Sequence, residues 1–193
     1  SGKSTIAKLI TRQSDATSGR IELAGQDITR LKGRSLIPVY AKIQMVFQAP
    51  TSSFDPRRTL GDGICESLRN KGVPRAEREA KARGLLEQCG LPGGFLERYP
   101  HQVSGGQCQR AAIARALMCD PQVLVFDEAT SALDVTVQKQ IIDLLQQLQE
   151  EKKLTYLFIC HNLALVQQFC DKIIVLYDGK IVESGLPDEV ILH

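Results

Sequence analysis

Two adjacent carboxylates close an apolar run: Val123-Leu124-Val125-Phe126 feeds directly into Asp127-Glu128. Four apolar residues in a row suit a strand buried on both faces of a parallel sheet. Open α/β sheets place their ligands at the carboxyl ends of such strands. There Asp127 can hold Mg²⁺ through water, because Mg²⁺ dehydrates reluctantly, while Glu128 polarises an attacking water as a general base. A strand end followed by acidic helix-capping residues gives the same pair. Gly2-Lys3-Ser4-Thr5 opens a helix. In a phosphate-binding loop the glycine lets the backbone approach the phosphates, and the helix N-terminus aims its unpaired N–H groups at them. Lys3 then reaches the β- and γ-phosphates and the Ser4 hydroxyl ligates Mg²⁺. A helix cap that begins with serine is the plainer reading of these residues. The chain begins at Ser1, without Met and inside this motif, which reads as a fragment whose N-terminus lies upstream.

Val103-Ser104-Gly105-Gly106-Gln107 precedes a helix and forms a second anion cradle of the same physical kind. One nucleotide does not need two cradles in the same site, so the second suits a nucleotide held by another subunit. A flexible loop with an N-cap is the alternative. His161 follows an apolar run at Thr155–Cys160 and can contact a γ-phosphate from that strand end, or serve as a cap. Gln48 ends the run Lys42–Phe47, where it can bind Mg²⁺ or the attacking water, or simply be solvated.

These residues need a frame of strands and helices. Ser4–Thr11 has helical spacing; Gly19–Ala24 reads as a strand and Gly25-Gln26-Asp27 as a turn. Lys42–Phe47 is a second strand. Pro and Gly then punctuate a stretch with two helical patterns, Leu60–Asn70 and Arg75–Cys89, the second with Leu85, Leu86 and Cys89 on one face. This stretch reads as an inserted helical lobe. Gly106–Met118 is helical, Val123–Phe126 a buried strand, and Val137, Ile141, Leu144, Leu145 and Leu148 mark an amphipathic helix. Thr155–Cys160 reads as another buried strand and Leu163–Phe169 as a helix. Ile173–Tyr177 and Lys180–Glu183 flank the hairpin signal Asp178-Gly179. Strands alternating with helices predict an α/β sheet core.

Composition narrows the partners. The 193 residues are 43% hydrophobic and 24% charged, as in an ordinary globular chain. A net charge of +2 is too balanced for nucleic-acid or membrane-surface binding by bulk electrostatics. The apolar runs fall well short of the ~20 residues of a membrane-spanning helix, and no secretory signal is visible. The six cysteines, with no Cys-x-x-Cys pair, read as reduced thiols of a cytosolic protein.

Taken in order, Gly2-Lys3-Ser4-Thr5, Gln48, Ser104-Gly105-Gly106-Gln107, Asp127-Glu128, Ser131-Ala132-Leu133-Asp134 and His161 resemble the nucleotide-binding domain of ABC transporters. They match the end of the Walker A loop, the Q-loop, the signature motif, Walker B, the D-loop and the switch histidine. The resemblance covers essentially the whole chain. It implies a P-loop NTPase core, α/β with a mixed, mainly parallel sheet, over residues 1–193, and an inserted α-helical subdomain at about 50–120 that includes the signature. Phe47-Gln48-Ala49-Pro50-Thr51-Ser52-Ser53-Phe54-Asp55-Pro56-Arg57, Tyr99-Pro100-His101-Gln102 and Asp134-Val135-Thr136-Val137-Gln138 are similar to the oligopeptide, dipeptide and nickel uptake branch. Cys160-His161-Asn162 departs from the usual switch context, Thr-His-Asp or Ser-His-Asp, but keeps the histidine.

The resemblance implies ATP and Mg²⁺ as cofactors and an ATPase that powers uptake of peptides or nickel. Glu128, His161 and Gln48 would be catalytic. Gly2, Lys3, Ser4, Thr5, Ser104, Gly105, Gly106, Gln107 and Asp134 would bind nucleotide, and Ser4, Gln48 and Asp127 the metal. The implied partners are a second such domain, identical or paralogous, membrane permease subunits and, indirectly, an extracytoplasmic binding protein, with no nucleic acid. The implied place is peripheral, on the cytoplasmic face of the membrane. A soluble ABC-type ATPase or a non-catalytic regulatory module is the alternative; Glu128 and His161 argue against the second.

Overall fold

The computed structural model describes residues 2–47, 51–129 and 133–191. Its central strand is the apolar run of the sequence, β4 (Val123–Asp127). Leu124, Val125 and Phe126 are at most 1% exposed, and their alternation divides the core in two. Leu124 and Phe126 belong to a large apolar cluster on one face, while Val125 joins Ala7, Ile28, Val39 and Ile43 on the other. That is the period of two expected of a strand covered on both faces.

In chain order before β4 come α1 (Lys3–Ile10), β1 (Glu22–Leu23), β2 (Gln26–Asp27), α2 (Ile37–Lys42), β3 (Ile43–Val46), α3 (Leu60–Ile64), α4 (Glu66–Asn70), α5 (Arg75–Gln88) and α6 (Gly105–Leu117). After it come α7 (Val135–Lys152), β5 (Thr155–Ile159), α8 (Leu163–Phe169), β6 (Ile173–Tyr177), β7 (Lys180–Gly185) and α9 (Pro187–Ile191). Strands β3, β4 and β5 form a parallel sheet, with Val46 opposite Phe126 and Asp127 opposite Ile159. Two antiparallel hairpins, β1–β2 and β6–β7, complete the strands among the described residues. Parallel and antiparallel pairing thus occur in separate sheets, and the sheet that carries β4 is wholly parallel.

Between β3 and β4 the described chain is helical. Helix α6 packs on β3 and α7, and its buried Ala112, Ile113 and Leu117 share the cluster that holds Leu124 and Phe126. On the same face the ring of Phe126 meets Tyr156 edge-on at 5.3 Å and lies 5.4 Å from Phe158. The Tyr156 hydroxyl reaches over to donate to the Leu145 carbonyl of α7 at 2.9 Å. β5 is thereby tied both to β4 and to the helix that precedes it.

Several elements differ from the expectation. The strand expected at Gly19–Ala24 shrinks to Glu22–Leu23, and Gln26-Asp27, expected in a turn, pairs with it. The turn is instead the two residues Ala24 and Gly25, both at positive φ (50° and 77°), which matches the twist of a tight hairpin. The helix expected over Leu60–Asn70 breaks at Cys65. Two glycines weaken α3 as a helix, yet both are needed: a Cβ on Gly61 would meet the Leu96 carbonyl at 2.7 Å, and one on Gly63 the Phe54 ring at 2.7 Å. β5, expected to be buried, is half-buried with Thr155 exposed, because it is the edge of the parallel sheet. No described helix is long and apolar enough to cross a membrane.

Candidate active site

The carboxyl ends of β4 and β5 and the start of α1 meet. Gly2 is the N-cap of α1 at φ 88°, ψ 5°, a backbone state glycine adopts without a Cβ penalty. The first turn of α1 carries no acidic side chain, so its N–H groups remain favourable to an anion. Lys3 is half-buried there; Ser4 and Thr5 are exposed. The Ser4 hydroxyl donates to Asp127 Oδ1 at 3.1 Å. The two oxygen donors that the sequence reading assigns to one metal are therefore neighbours, although 123 residues separate them.

Glu128 follows directly, held in the left-handed region at φ 51°. Its N–H donates to the Ile159 carbonyl at 2.9 Å, which extends the β4–β5 pairing by one residue and fixes where the carboxylate starts. A non-glycine residue in that region carries a conformational cost. Glu128 Oε2 lies 3.4 Å from His161 Nε2, with the histidine side chain 59% and the glutamate 22% exposed. That spacing is long for a strong hydrogen bond. His161 is placed by β5 on one side and by α8 on the other. The Asn162 side chain caps α8, its Oδ1 accepting from the Leu165 N–H at 3.3 Å. Beside them the Cys160 thiol points back to the Asn162 carbonyl at 3.8 Å. Burial pushes that thiol above its ordinary pKa and Glu128 adds to the rise, while the Asn162 hydrogen bond and Lys3 oppose it. Cys160 thus lies within the field of both Lys3 and Glu128, a neighbour that the sequence reading did not assign.

The second cradle is built differently. Ser104 is the N-cap of α6; its Oγ accepts from the Gln107 N–H at 3.3 Å, and its own N–H donates to Gln107 Oε1 at 3.0 Å. This is a reciprocal capping box. Gly105 lies against Leu133, and a Cβ on Gly106 would stand 2.5 Å from Val137 Cγ1. Asp134 caps α7 in turn, its Oδ1 accepting from the Val137 N–H at 2.9 Å. The signature turn and Asp134 are therefore neighbours through the starts of α6 and α7.

Gln48, Ser131 and Ala132 lie outside the described residues. Two approaches had no signal in the sequence. A Cβ on Gly2 would be 4.0 Å from the Gly179 Cα, so the β6–β7 turn stands against the start of α1. Val137 dictates Gly106 from the next helix. Neither follows from local patterning.

The ABC transporter family matches the chain over residues 1–131. The oligopeptide transport ATP-binding protein OppF of Streptococcus mutans is 46% identical over 195 residues, covering 100% of the chain and 63% of the relative. OppF of Salmonella typhimurium is 42% identical, covering 98% and 57%. The chain thus spans about three-fifths of the length of these curated relatives. Among solved structures, cbiO1 of Clostridium perfringens, part of the ABC transporter complex cbiONQ, superposes with a TM-score of 0.89 at 27% identity, covering 99% of this chain and 75% of that one. The ATP-binding cassette MJ0796, a dimer in a post-hydrolysis state with ADP and Pi, superposes with a TM-score of 0.85 at 30% identity, covering 96% and 81%.

Proposed function

The chain belongs to the ABC transporter family, and from that premise we propose that it is the ATP-binding and ATP-hydrolysing part of a subunit that powers peptide import through a membrane permease. The observation that carries the reading is the juxtaposition of Ser4 with Asp127 and of Glu128 with His161 at one sheet end. The backbone of α1 and Lys3 bind the phosphates. A hydroxyl and a carboxylate are the hard oxygen donors that Mg²⁺ accepts while keeping water and phosphate oxygens, so Ser4 and Asp127 fit that ion, with Gln48 as a further donor. When bound, Mg²⁺ neutralises charge on the phosphates.

Glu128 accepts the proton of the attacking water, and its backbone, pinned to Ile159, holds the carboxylate in place. His161 orients the γ-phosphate side of the same space. Positioning and charge neutralisation supply most of the rate in such a transfer. The Ser104–Gln107 turn and Asp134 serve the nucleotide of a second domain, identical or paralogous, a reading supported by the dimeric state of the MJ0796 neighbour.

Peptide is the cargo favoured by the oligopeptide transport relatives. The permease docks in a cleft of about 400 Å³ between α2–β3 and α3–α4, where Tyr40 and Phe47 are about two-fifths exposed and Gln48 follows directly. On this reading the subunit sits peripherally on the cytoplasmic face of the membrane, with the binding protein on the far side.

Two variants of the full-length protein test the assignment. Glu128→Gln keeps ATP binding and lowers turnover by about 10²–10⁴-fold, the loss expected for a general base. Lys3→Ala weakens ATP binding itself. Equilibrium binding and phosphate release with the permease present separate the two; wild-type turnover in Glu128→Gln removes that residue from catalysis. Activity indifferent to any permease moves the protein to the soluble ATPases.

A further inference from the structure

The nucleotide site leaves unused the outer face of the helices between β3 and β4. A recess of about 350 Å³ opens there between α3, α4, α5 and the turn Gly93–Glu97. That volume is at the lower end of the ~300–1,000 Å³ of small-ligand pockets. Four arginines line it, Arg69, Arg75, Arg78 and Arg83. Three carboxylates share the lining: Glu79 and Glu97 are each paired with an arginine, while Asp62 keeps its charge within a capping box. Asp62 accepts from the Thr59 N–H at 3.3 Å and the Thr59 hydroxyl at 3.1 Å, in the capping box of α3. Glu79 accepts from Arg75 Nε at 2.7 Å, and Glu97 from Arg83 Nη2 at 2.6 Å.

The lining carries one positive charge in excess, four arginines against three carboxylates. Arg69 pairs at 3.3 Å with Glu66, which also lies 3.5 Å from Arg58, so one carboxylate serves two guanidinium groups. Arg78 is half-buried and makes no ion pair among the described residues. Its Nη1 donates to the Val73 carbonyl at 2.9 Å, which leaves most of its donors unassigned. The floor of the recess is Cys65, whose thiol donates to the Arg78 carbonyl at 3.7 Å. The fields of Arg78, Glu79, Asp62 and Arg69 all converge on that sulfur.

A guanidinium without a counter-charge, set in a concave wall beside others, is poised for an anion. Donors arriving from both α4 and α5 suit the tetrahedral oxygens of a phosphoryl group better than a planar carboxylate. We propose that this recess binds a phosphoryl dianion, with Arg78 as its central contact and Arg69 and Arg75 at its rim. The site is separate from the nucleotide loop and shares no residue with it.

The test is a titration of inorganic phosphate into the full chain carrying Lys3→Ala, which disables the nucleotide loop. Phosphate ³¹P line width and the thermal midpoint, at constant ionic strength, are the readouts. Phosphate broadens the signal and raises the midpoint in this background. Adding Arg78→Gln weakens the affinity by about tenfold or more, as for the loss of a charge-assisted hydrogen bond, and Arg78→Lys restores part of it. Arg75→Gln is a second variant for the case in which Arg78→Gln fails to fold, because the Arg75 side chain is 80% exposed; it too weakens binding. Vesicles of phosphatidylcholine with and without phosphatidic acid form a further arm. Binding of only the acidic vesicles, lost in Arg78→Gln, assigns the phosphoryl group to a lipid headgroup, whereas a response to dissolved phosphate alone assigns it to a free anion. No response in the Lys3→Ala chain to either form, or a response untouched by the arginine variants, overturns the site. Neither result bears on the assignment of Glu128.

Discussion

The two proposed phosphate cradles of this chain are built on opposite principles. At the first, α1, β4 and β5 bring Ser4, Asp127, Glu128 and His161 to one place, and Glu128 is held there at φ 51°. At the second, Ser104 and Gln107 satisfy each other in a capping box, and Ser104 has the relaxed extended backbone of an N-cap, φ −70° and ψ 163°. The first is assembled by tertiary structure and carries conformational strain. The second is assembled locally, and its glycines answer to a neighbouring helix. A site in which distant groups converge is suited to chemistry. A self-satisfied turn that presents backbone is suited to closing over a ligand held elsewhere.

The sharpest break in that comparison lies within the second cradle. Gly106→Ala puts a methyl 2.5 Å from Val137 Cγ1. Valine is stiff in a helix, so α6 and α7 must move apart, at an overpacking cost of about 1–3 kcal/mol. Gly105→Ala meets only Leu133 at 3.7 Å, an ordinary contact. It leaves stability unchanged or slightly raised and lowers turnover, because the methyl stands on the surface proposed to close over the phosphate. Urea unfolding of both variants, beside phosphate release in the full-length protein, checks the split. Equal stabilities would show that the helix start yields and that Val137 does not dictate Gly106.

Two serines give the next largest effect. Ser104→Ala removes an N-cap acceptor and costs about 1 kcal/mol of stability. Ser4→Ala loses an exposed hydrogen bond to Asp127 and stays within about 0.5 kcal/mol of the parent, while Mg²⁺-dependent ATP turnover falls. Denaturation midpoints paired with turnover at several Mg²⁺ concentrations decide the matter. A turnover that leaves the Ser4→Ala variant at parental activity takes Ser4 out of the metal's shell.

The same division governs what could be read before the structure. β4, α7 and the β6–β7 hairpin were legible because their patterns are local: an unbroken apolar run, a 3.6-residue period and an Asp-Gly turn. The capping box at Ser104 is legible for the same reason. Helix α2 was not, since only Val39 of its six residues is buried and no period emerges. The break at Cys65 depends on Leu96 and Phe54 pressing on two glycines, and the half-burial of β5 on its edge position. At the candidate active site the residue types were readable, but their convergence was carried only by the resemblance of the whole motif set. The contact of Gly2 with Gly179 and the nearness of Cys160 to Lys3 and Glu128 had no local signature at all.

The smallest effect isolates the strain itself. Glu128→Gly removes the Cβ from a residue at φ 51°. Relief of the left-handed conformation is worth about 1–2 kcal/mol, and the greater freedom of glycine in the unfolded chain takes back roughly 0.5–1 kcal/mol. The Ile159 hydrogen bond is made by the backbone and survives the substitution. The expected result is a gain in unfolding free energy of up to about 1.5 kcal/mol in a protein that no longer turns over ATP. Ser104→Gly, by contrast, relieves no strain and falls a few tenths of a kcal/mol below the parent. Glycine that stabilises at one cradle and destabilises at the other would establish that the glutamate's conformation is held against its own preference by the β4–β5 pairing. A loss at both positions would mean that the carboxylate contributes more to folding than its backbone costs, and the contrast between the cradles would then rest on convergence alone.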